Sequence, residues 1–237
     1  MITSERVGRV VTLTLDGTRA NALGALGYEA IHDVASALGS DDVLVLRSEG
    51  NVFCAGQDLD EFREARMAGE VGALIERGAR AVLAVLECQA PVVCAVQGPA
   101  VGAGALLAAC ADVLVLGEDA RLSLPELAMG MPLGGAVAAR LLPWRLVRRM
   151  MLTGYVVDAG ELAAHGSCAV VARAELAAAT DREVRRLLDR DPLAVSIARQ
   201  GWGERERERA AEQYRAEVAA TLTCMNASDE GAATTAD

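Results

Sequence analysis

Aromatic residues are scarce in this 237-residue chain, with two Trp, three Tyr and two Phe, so its 52% hydrophobic content is mostly aliphatic or small. That content still suffices for a sizeable core, and the length fits one large α/β domain or one domain with a helical appendage. Positive charge is in deficit, with 23 basic residues against 33 acidic ones and a formal charge of -10. The balance argues against a general nucleic-acid or anionic-membrane binder, although local donors can still hold an anionic small molecule. Histidine is reduced to His32 and His165, which leaves little for a Ser-His-Asp arrangement. His32 reads as a solvated residue and His165 as a helix cap before Gly166.

Six cysteines (54, 88, 94, 110, 168 and 224) are scattered, with no CxxC pair and no His at zinc spacing, so no metal site is expected. Several sit in apolar runs as small core residues, and nothing is placed to activate Cys54. The N-terminus carries Glu5, Arg6 and Arg9 instead of an apolar signal segment, and the expected compartment is the cytoplasm. Residues 88–111 carry no charge, a run long enough to raise a membrane span. Its two Pro, two Gln and three Gly argue against one. The Lys of GxxxxGK[ST] is missing after this turn, and Gly102-Ala103-Gly104 does not complete GxGxxG, so it is no phosphate loop.

What is present organises itself around 91–112, PVVCAVQGPAVGAGALLAACAD. The apolar run at 92–96 reads as a buried strand, Gln97-Gly98-Pro99 as a turn, and the segment after Gly102 as a buried helix. A glycine-rich turn entering a helix exposes amides that lack internal partners, at the positive end of the helix dipole. Such a turn serves either tight packing or an oxygen that becomes anionic during a reaction.

Along the chain, 7–15 reads as a strand, 26–38 as a helix closed by Gly39, and 41–47 as a second strand. The piece 51–59, NVFCAGQDL, reads as a strand ending in Ala-Gly with an acidic helix start behind it. Residues 61–87 predict one or two amphipathic helices broken near Gly69 and Gly72, their charges forming a solvated face. After Asp112 comes another strand, then Pro125-Glu126 and a glycine-rich stretch to Gly135. A helix over 136–152 with a break at Pro143, a short helix over 158–165 and a short strand over 168–171 follow. The remainder is helical over 175–188 and 193–222, interrupted by Gly201 and Gly203, with a frayed tail from Asn226 to Asp237. No repeat or linker is visible, and the order predicts an α/β layer core with a helical C-terminal region.

Three pieces carry chemistry together: Phe53-Cys54-Ala55-Gly56-Gln57-Asp58-Leu59, the turn from Gly98 to Gly104, and Pro125-Glu126. In this order, with Arg19-Ala20-Asn21-Ala22-Leu23 ahead of them, the chain resembles the crotonase superfamily of enoyl-CoA hydratases and isomerases over nearly its whole length. The resemblance implies an α/β fold of the ClpP/crotonase type, a spiral of ββα units over 1–172. A helical C-terminal region at 173–237 would serve as oligomerisation or lid element. It also implies trimers or dimers of trimers acting on an acyl-CoA thioester. Coenzyme A then belongs to the substrate and no separate cofactor is needed.

By motif position the resemblance puts the thioester oxygen between the backbone amides of Gln57 and Ala103. Arg19, Ala20, Ala22, Ala55, Gln57, Asp58, Leu59, Asp60 and Ala103 would border the coenzyme A and its acyl group. Arg19 reads equally as a solvated turn residue or as a contact to a phosphate. Where hydratases of the superfamily carry a first glutamate this chain has Leu106; the second is present as Glu126. One carboxylate suffices to move a proton from C2 to C4 through a thioester enolate, as in the Δ3,Δ2-enoyl-CoA isomerases. The expected activity is therefore double-bond isomerisation by Glu126. The alternatives are a hydratase with a non-standard second group, or a non-catalytic binder of acyl-CoA or acyl carrier.

Overall fold

The structure is a computed structural model that describes residues 1–166 and 168–234. The side chains of 18, 19, 202, 204 and 226–234 lie outside that description. Nine strands occur among the described residues: β1 (Ile2–Val7), β2 (Val10–Leu15), β3 (Val43–Ser48), β4 (Val92–Val96), β5 (Pro99–Val101), β6 (Val113–Gly117), β7 (Arg121–Ser123), β8 (Val157–Asp158) and β9 (Ala169–Val171). They form a six-stranded sheet in the order β1-β2-β3-β4-β6-β9 and a three-stranded sheet in the order β5-β7-β8. Only β1 is antiparallel in the larger sheet. The smaller sheet pairs β5 with β7 in parallel and β7 with β8 antiparallel.

The helices are α1 (Thr18–Asn21, a single turn), α2 (Ala25–Ser36), α3 (Leu59–Ala68), α4 (Val71–Leu86), α5 (Ala103–Ala109), α6 (Gly135–Ala138), α7 (Trp144–Thr153), α8 (Ala159–Ala164), α9 (Leu176–Leu188), α10 (Pro192–Ala198) and α11 (Glu204–Thr234). The repeating unit is a strand in the large sheet, a strand in the small sheet, then a helix, most plainly in β4-β5-α5. This is the ββα spiral with a helical C-terminal region.

Strand β4 is the spine, with all five residues buried. Successive side chains of a strand point to opposite faces. Val92, Cys94 and Val96 accordingly join the main core with α2, α4 and α5, while Val93 and Ala95 meet Val184, Leu176 and Ala179 of α9. Both faces of the sheet are covered, as a parallel sheet requires. Helix α11 returns across the domain and adds Ala210, Ala211, Tyr214, Val218 and Met225 to the main core.

Several elements depart from the sequence expectation. The strand over 7–15 is a hairpin, turned at Gly8 with φ 61, and its first arm starts at Ile2. The strand expected over 51–55 is a loop held by two single bridges, Cys54 to Ala100 and Leu23 to Gln57. Pro99 opens a strand instead of only turning the chain; it stands at the edge of the small sheet, where a missing N–H is tolerated. The break between α3 and α4 falls at Gly69, in the left-handed region with φ 73, whereas Gly72 is inside α4. Helix α11 is continuous to Thr234, and 235–237 of the tail expected to fray lie outside the described residues.

Candidate active site

Three loops of the spiral meet at one cavity of about 270 Å³, lined among others by Gln57, Ala103 and Glu126. The first loop, 54–58, is tied down from the side of α1. Asn21 is buried there, and its amide nitrogen donates to the carbonyls of Glu49, Val52 and Phe53 at 2.9, 2.9 and 3.3 Å. Ala55 N–H donates to Ala20 C=O at 3.0 Å, Leu23 N–H to Gly56 C=O at 2.7 Å and Asp58 N–H to Leu23 C=O at 2.9 Å. This bridge uses the groups on either side of Gln57, so the Gln57 amide points to the opposite edge of the strand, away from Leu23.

That opposite edge faces the second loop. A Cβ at Gly56, where φ is 83, would stand 2.7 Å from Val101 O and 3.7 Å from Ala103 N. Only glycine permits the two backbones to lie so close. Gly104 is confined likewise, since its Cβ would meet Cys54 Cβ and O at 2.6 Å. Ala103 is the first residue of α5, where an amide has no intrahelical acceptor. Gly102 before it has φ 53, and its amide donates to Ser123 O at 2.9 Å.

The third loop supplies the acid. Glu126 opens a 3-10 turn, Glu126–Met129, and is 6% exposed. A Cβ on Gly102 would lie 2.7 Å from Glu126 Oε1, so the carboxyl abuts the turn that presents Ala103. Glu126 Oε2 is sealed from solvent with no hydrogen-bond partner. Burial pushes this carboxyl up from 4.5 to about 7, because the ionised form loses its hydration without an offsetting cation. Leu106, at the position of the absent first glutamate, is 1% exposed and forms part of the apolar wall.

The remaining walls come from α2, α3, α4 and α11, which place Tyr28, Phe62, Leu74, Ile75 and Tyr214 at the cavity. Two further carboxylates hold these walls. Glu61 accepts the Ala25 N–H at 2.9 and 3.1 Å, tying the start of α2 to α3; it is therefore not part of the solvated face expected for 61–87. Glu217 accepts the Gly134 and Ala136 N–H groups at 2.8 and 2.9 Å, pinning the loop before α6 to α11.

Of the residues singled out from sequence, the fold brings Ala55, Gln57, Leu59, Ala103 and Glu126 to this cavity. Ala20 and Ala22 stand behind the first loop and do not line it, and Ala20 holds φ 58. The Asp58 side chain accepts the Asp60 and Glu61 amides as the cap of α3. Asp60 pairs with Arg63 at 2.6 Å on an outer hollow. The side chain of Arg19 lies outside the described residues. Neither His32 nor His165 reaches the cavity. The Cys54 thiol is pushed up to about 12 by burial, so it stays protonated and inert as a nucleophile. No cluster able to hold a metal ion occurs among the described residues, and no helix among them is long and apolar enough to cross a membrane.

The profile of the family described as enoyl-CoA hydratase/isomerase matches residues 5–234. The chain belongs to the enoyl-CoA hydratase/isomerase family. One relative, the (7aS)-7a-methyl-1,5-dioxo-2,3,5,6,7,7a-hexahydro-1H-indene-carboxyl-CoA hydrolase of Mycobacterium tuberculosis, is 35% identical over 221 residues, covering 90% of this chain and 88% of its own. The 2,3-dehydroadipyl-CoA hydratase of Escherichia coli is 32% identical over 204 residues, 82% and 78% of the two chains. The crystal structure of an enoyl-CoA hydratase/isomerase from Xanthobacter autotrophicus superposes with a TM-score of 0.84 at 25% identity, over 94% and 86%. The chain is thus an enzyme of the enoyl-CoA hydratase/isomerase family, and an acyl-CoA thioester substrate is consistent with that membership.

Sequence reasoning missed Tyr28, Phe62 and Tyr214. Composition held a signal. With only three tyrosines and two phenylalanines in the chain, two of the former and one of the latter line this one cavity.

Proposed function

We propose that the protein moves a double bond in an acyl-CoA thioester from Δ3 to Δ2, with Glu126 as its single acid–base. The observation that carries this reading is a carboxyl with one oxygen sealed and unpartnered, pushed up to about 7 by burial beside the turn that presents the Ala103 amide. Ionised Glu126 takes a proton from C2. The Gln57 and Ala103 amides hold the enolate oxygen, and the protonated carboxyl returns the proton at C4. A carboxyl near 7 is matched to both halves of that exchange at neutral pH. Each backbone donor at the oxyanion contributes about 3 kcal/mol to the transition state. Leu106, in the apolar wall one turn beyond Gly102, leaves no second carboxylate there to direct water.

A second reading is favoured by the names of the relatives, a hydrolase and a hydratase: Glu126 would then activate a water molecule. Turnover of 3-enoyl-CoA and of 2-enoyl-CoA in oxygen-18 water separates the two. Isomerisation converts the first to 2-enoyl-CoA with no label; hydration of the second, or hydrolysis of either, places one labelled oxygen in the product. The donor role is tested by Ala103→Pro. Proline is accepted at the first position of a helix but has no N–H. Activity is expected to fall about 100- to 1000-fold with the fold intact, and an unimpaired variant would refute the oxyanion role of Ala103.

A further inference from the structure

Two hydroxyl groups in the cavity have no place in the chemistry above. Tyr28 and Tyr214 are 3% and 2% exposed, come from α2 and α11, and both line the cavity beside Glu126. Neither hydroxyl makes a hydrogen bond to any described residue. Only Glu126 Oε2 and Arg199 Nε are both sealed and unpartnered among the described residues, so the two phenol oxygens keep contact with the open space of the cavity. A polar group buried in an apolar pocket without a partner is costly, and a bound molecule that supplies the partner removes that cost.

The surroundings are shaped for the Tyr28 phenol. Gly78 lies in the middle of α4, where glycine is unfavourable. A Cβ on Gly78 would stand 3.2 Å from Tyr28 Cζ and 3.5 Å from Cε1 and Cε2. The bare backbone at 78 thus seats the hydroxyl-bearing end of the ring. Glu61 fixes the first turn of α2, which carries Tyr28, and Glu217 anchors α11 one turn from Tyr214. Both phenols titrate far above neutrality because of burial, with nearby Glu126 adding to the effect, so they remain protonated donors. Besides Glu126 and Gln57, the other lining side chains are apolar.

We propose that Tyr28 and Tyr214 read an oxygen atom on the acyl group, so that the preferred substrates are acyl-CoA thioesters carrying a carbonyl or hydroxyl beyond the β-carbon. The proposal rests on the acyl-CoA reading of this cavity and narrows its substrate class. A carbonyl suits it best, because it accepts from both donors and needs no proton of its own.

Calorimetric titration of the full-length protein with octanoyl-CoA, and with octanoyl-CoA bearing one oxo group placed successively along the chain, tests it without requiring turnover. At least one oxo compound is expected to bind roughly fivefold or more tightly than octanoyl-CoA, the ordinary net worth of one neutral hydrogen bond. Tyr28→Phe and Tyr214→Phe, which keep both rings, should each weaken that compound by a similar factor and leave octanoyl-CoA unchanged. The double variant should show no preference. Equal binding of octanoyl-CoA and every oxo compound, or a preference that survives in the double variant, overturns this inference alone. No binding of any acyl-CoA overturns the acyl-CoA reading and this inference with it.

Discussion

Glu126 and Glu217 are a buried and a half-buried glutamate, one lining the cavity from a 3-10 turn and the other on α11, the helix whose Tyr214 lines it. Burial raises the titration of both, and there the likeness ends. Glu217 is drawn back by the amides of Gly134, Gly135 and Ala136, which it accepts. Glu126 has no such donors on Oε2 and is left near 7. A buried carboxylate surrounded by amides is committed to holding backbone together. One without them is unstable as an anion and available to exchange a proton. The two therefore predict opposite responses to the same substitution.

The largest effect is expected on turnover. Glu126→Gln keeps the shape of the side chain and removes its proton exchange, and activity should fall about 1000-fold while acyl-CoA affinity changes little. Glu217→Gln should leave the chemical step within about tenfold. If the two variants lose activity equally, the distinction between them is gone.

Stability against pH is expected to move next. Glu126 in the folded protein titrates above its unfolded value, so the protonated carboxyl is tolerated fully below about pH 4.5. The folded state then loses stability as pH rises toward 7. The rise from 4.5 to about 7 corresponds to about 3 kcal/mol. Glu126→Gln should therefore be the more stable protein at pH 8, with the advantage vanishing at pH 4.5, as read by urea unfolding at both values. An advantage that does not depend on pH would mean that Glu126 is solvated. Glu217→Ala should go the other way, costing about 2 kcal/mol at neutral pH by leaving the amides before α6 unpaired.

The same contrast explains how much could be read from the chain itself. That Glu126, Gln57 and Ala103 line one cavity was legible through the family resemblance, whose motifs set each beside glycine or proline at Gly56, Gly102 and Pro125. The spiral was legible for the same reason, each turn being marked by an apolar run and a glycine break. Tyr28, Tyr214 and Glu217 were not, since nothing local distinguishes them from ordinary residues of amphipathic helices. Their contacts depend on α11 folding back over α2, α4 and the loop before α6, all far earlier in the chain. The hairpin at Gly8 was missed because one glycine inside a β-branched run interrupts neither the composition nor the alternation.

Glu61 gives the mildest test of the comparison. It lies between the two extremes, a half-buried carboxylate whose one backbone partner among the described residues is the Ala25 amide at the start of α2. Gly24 makes room for this contact, since a Cβ there would overlap Glu61 Oε2. Glu61→Ala removes a helix cap and should cost about 1 kcal/mol in urea unfolding. Because the first turn of α2 carries Tyr28 into the cavity, the loss should reach KM for acyl-CoA before it reaches kcat. A fall in kcat at unchanged KM would place Glu61 with Glu126, as part of the proton-transfer apparatus and not of the scaffold around it.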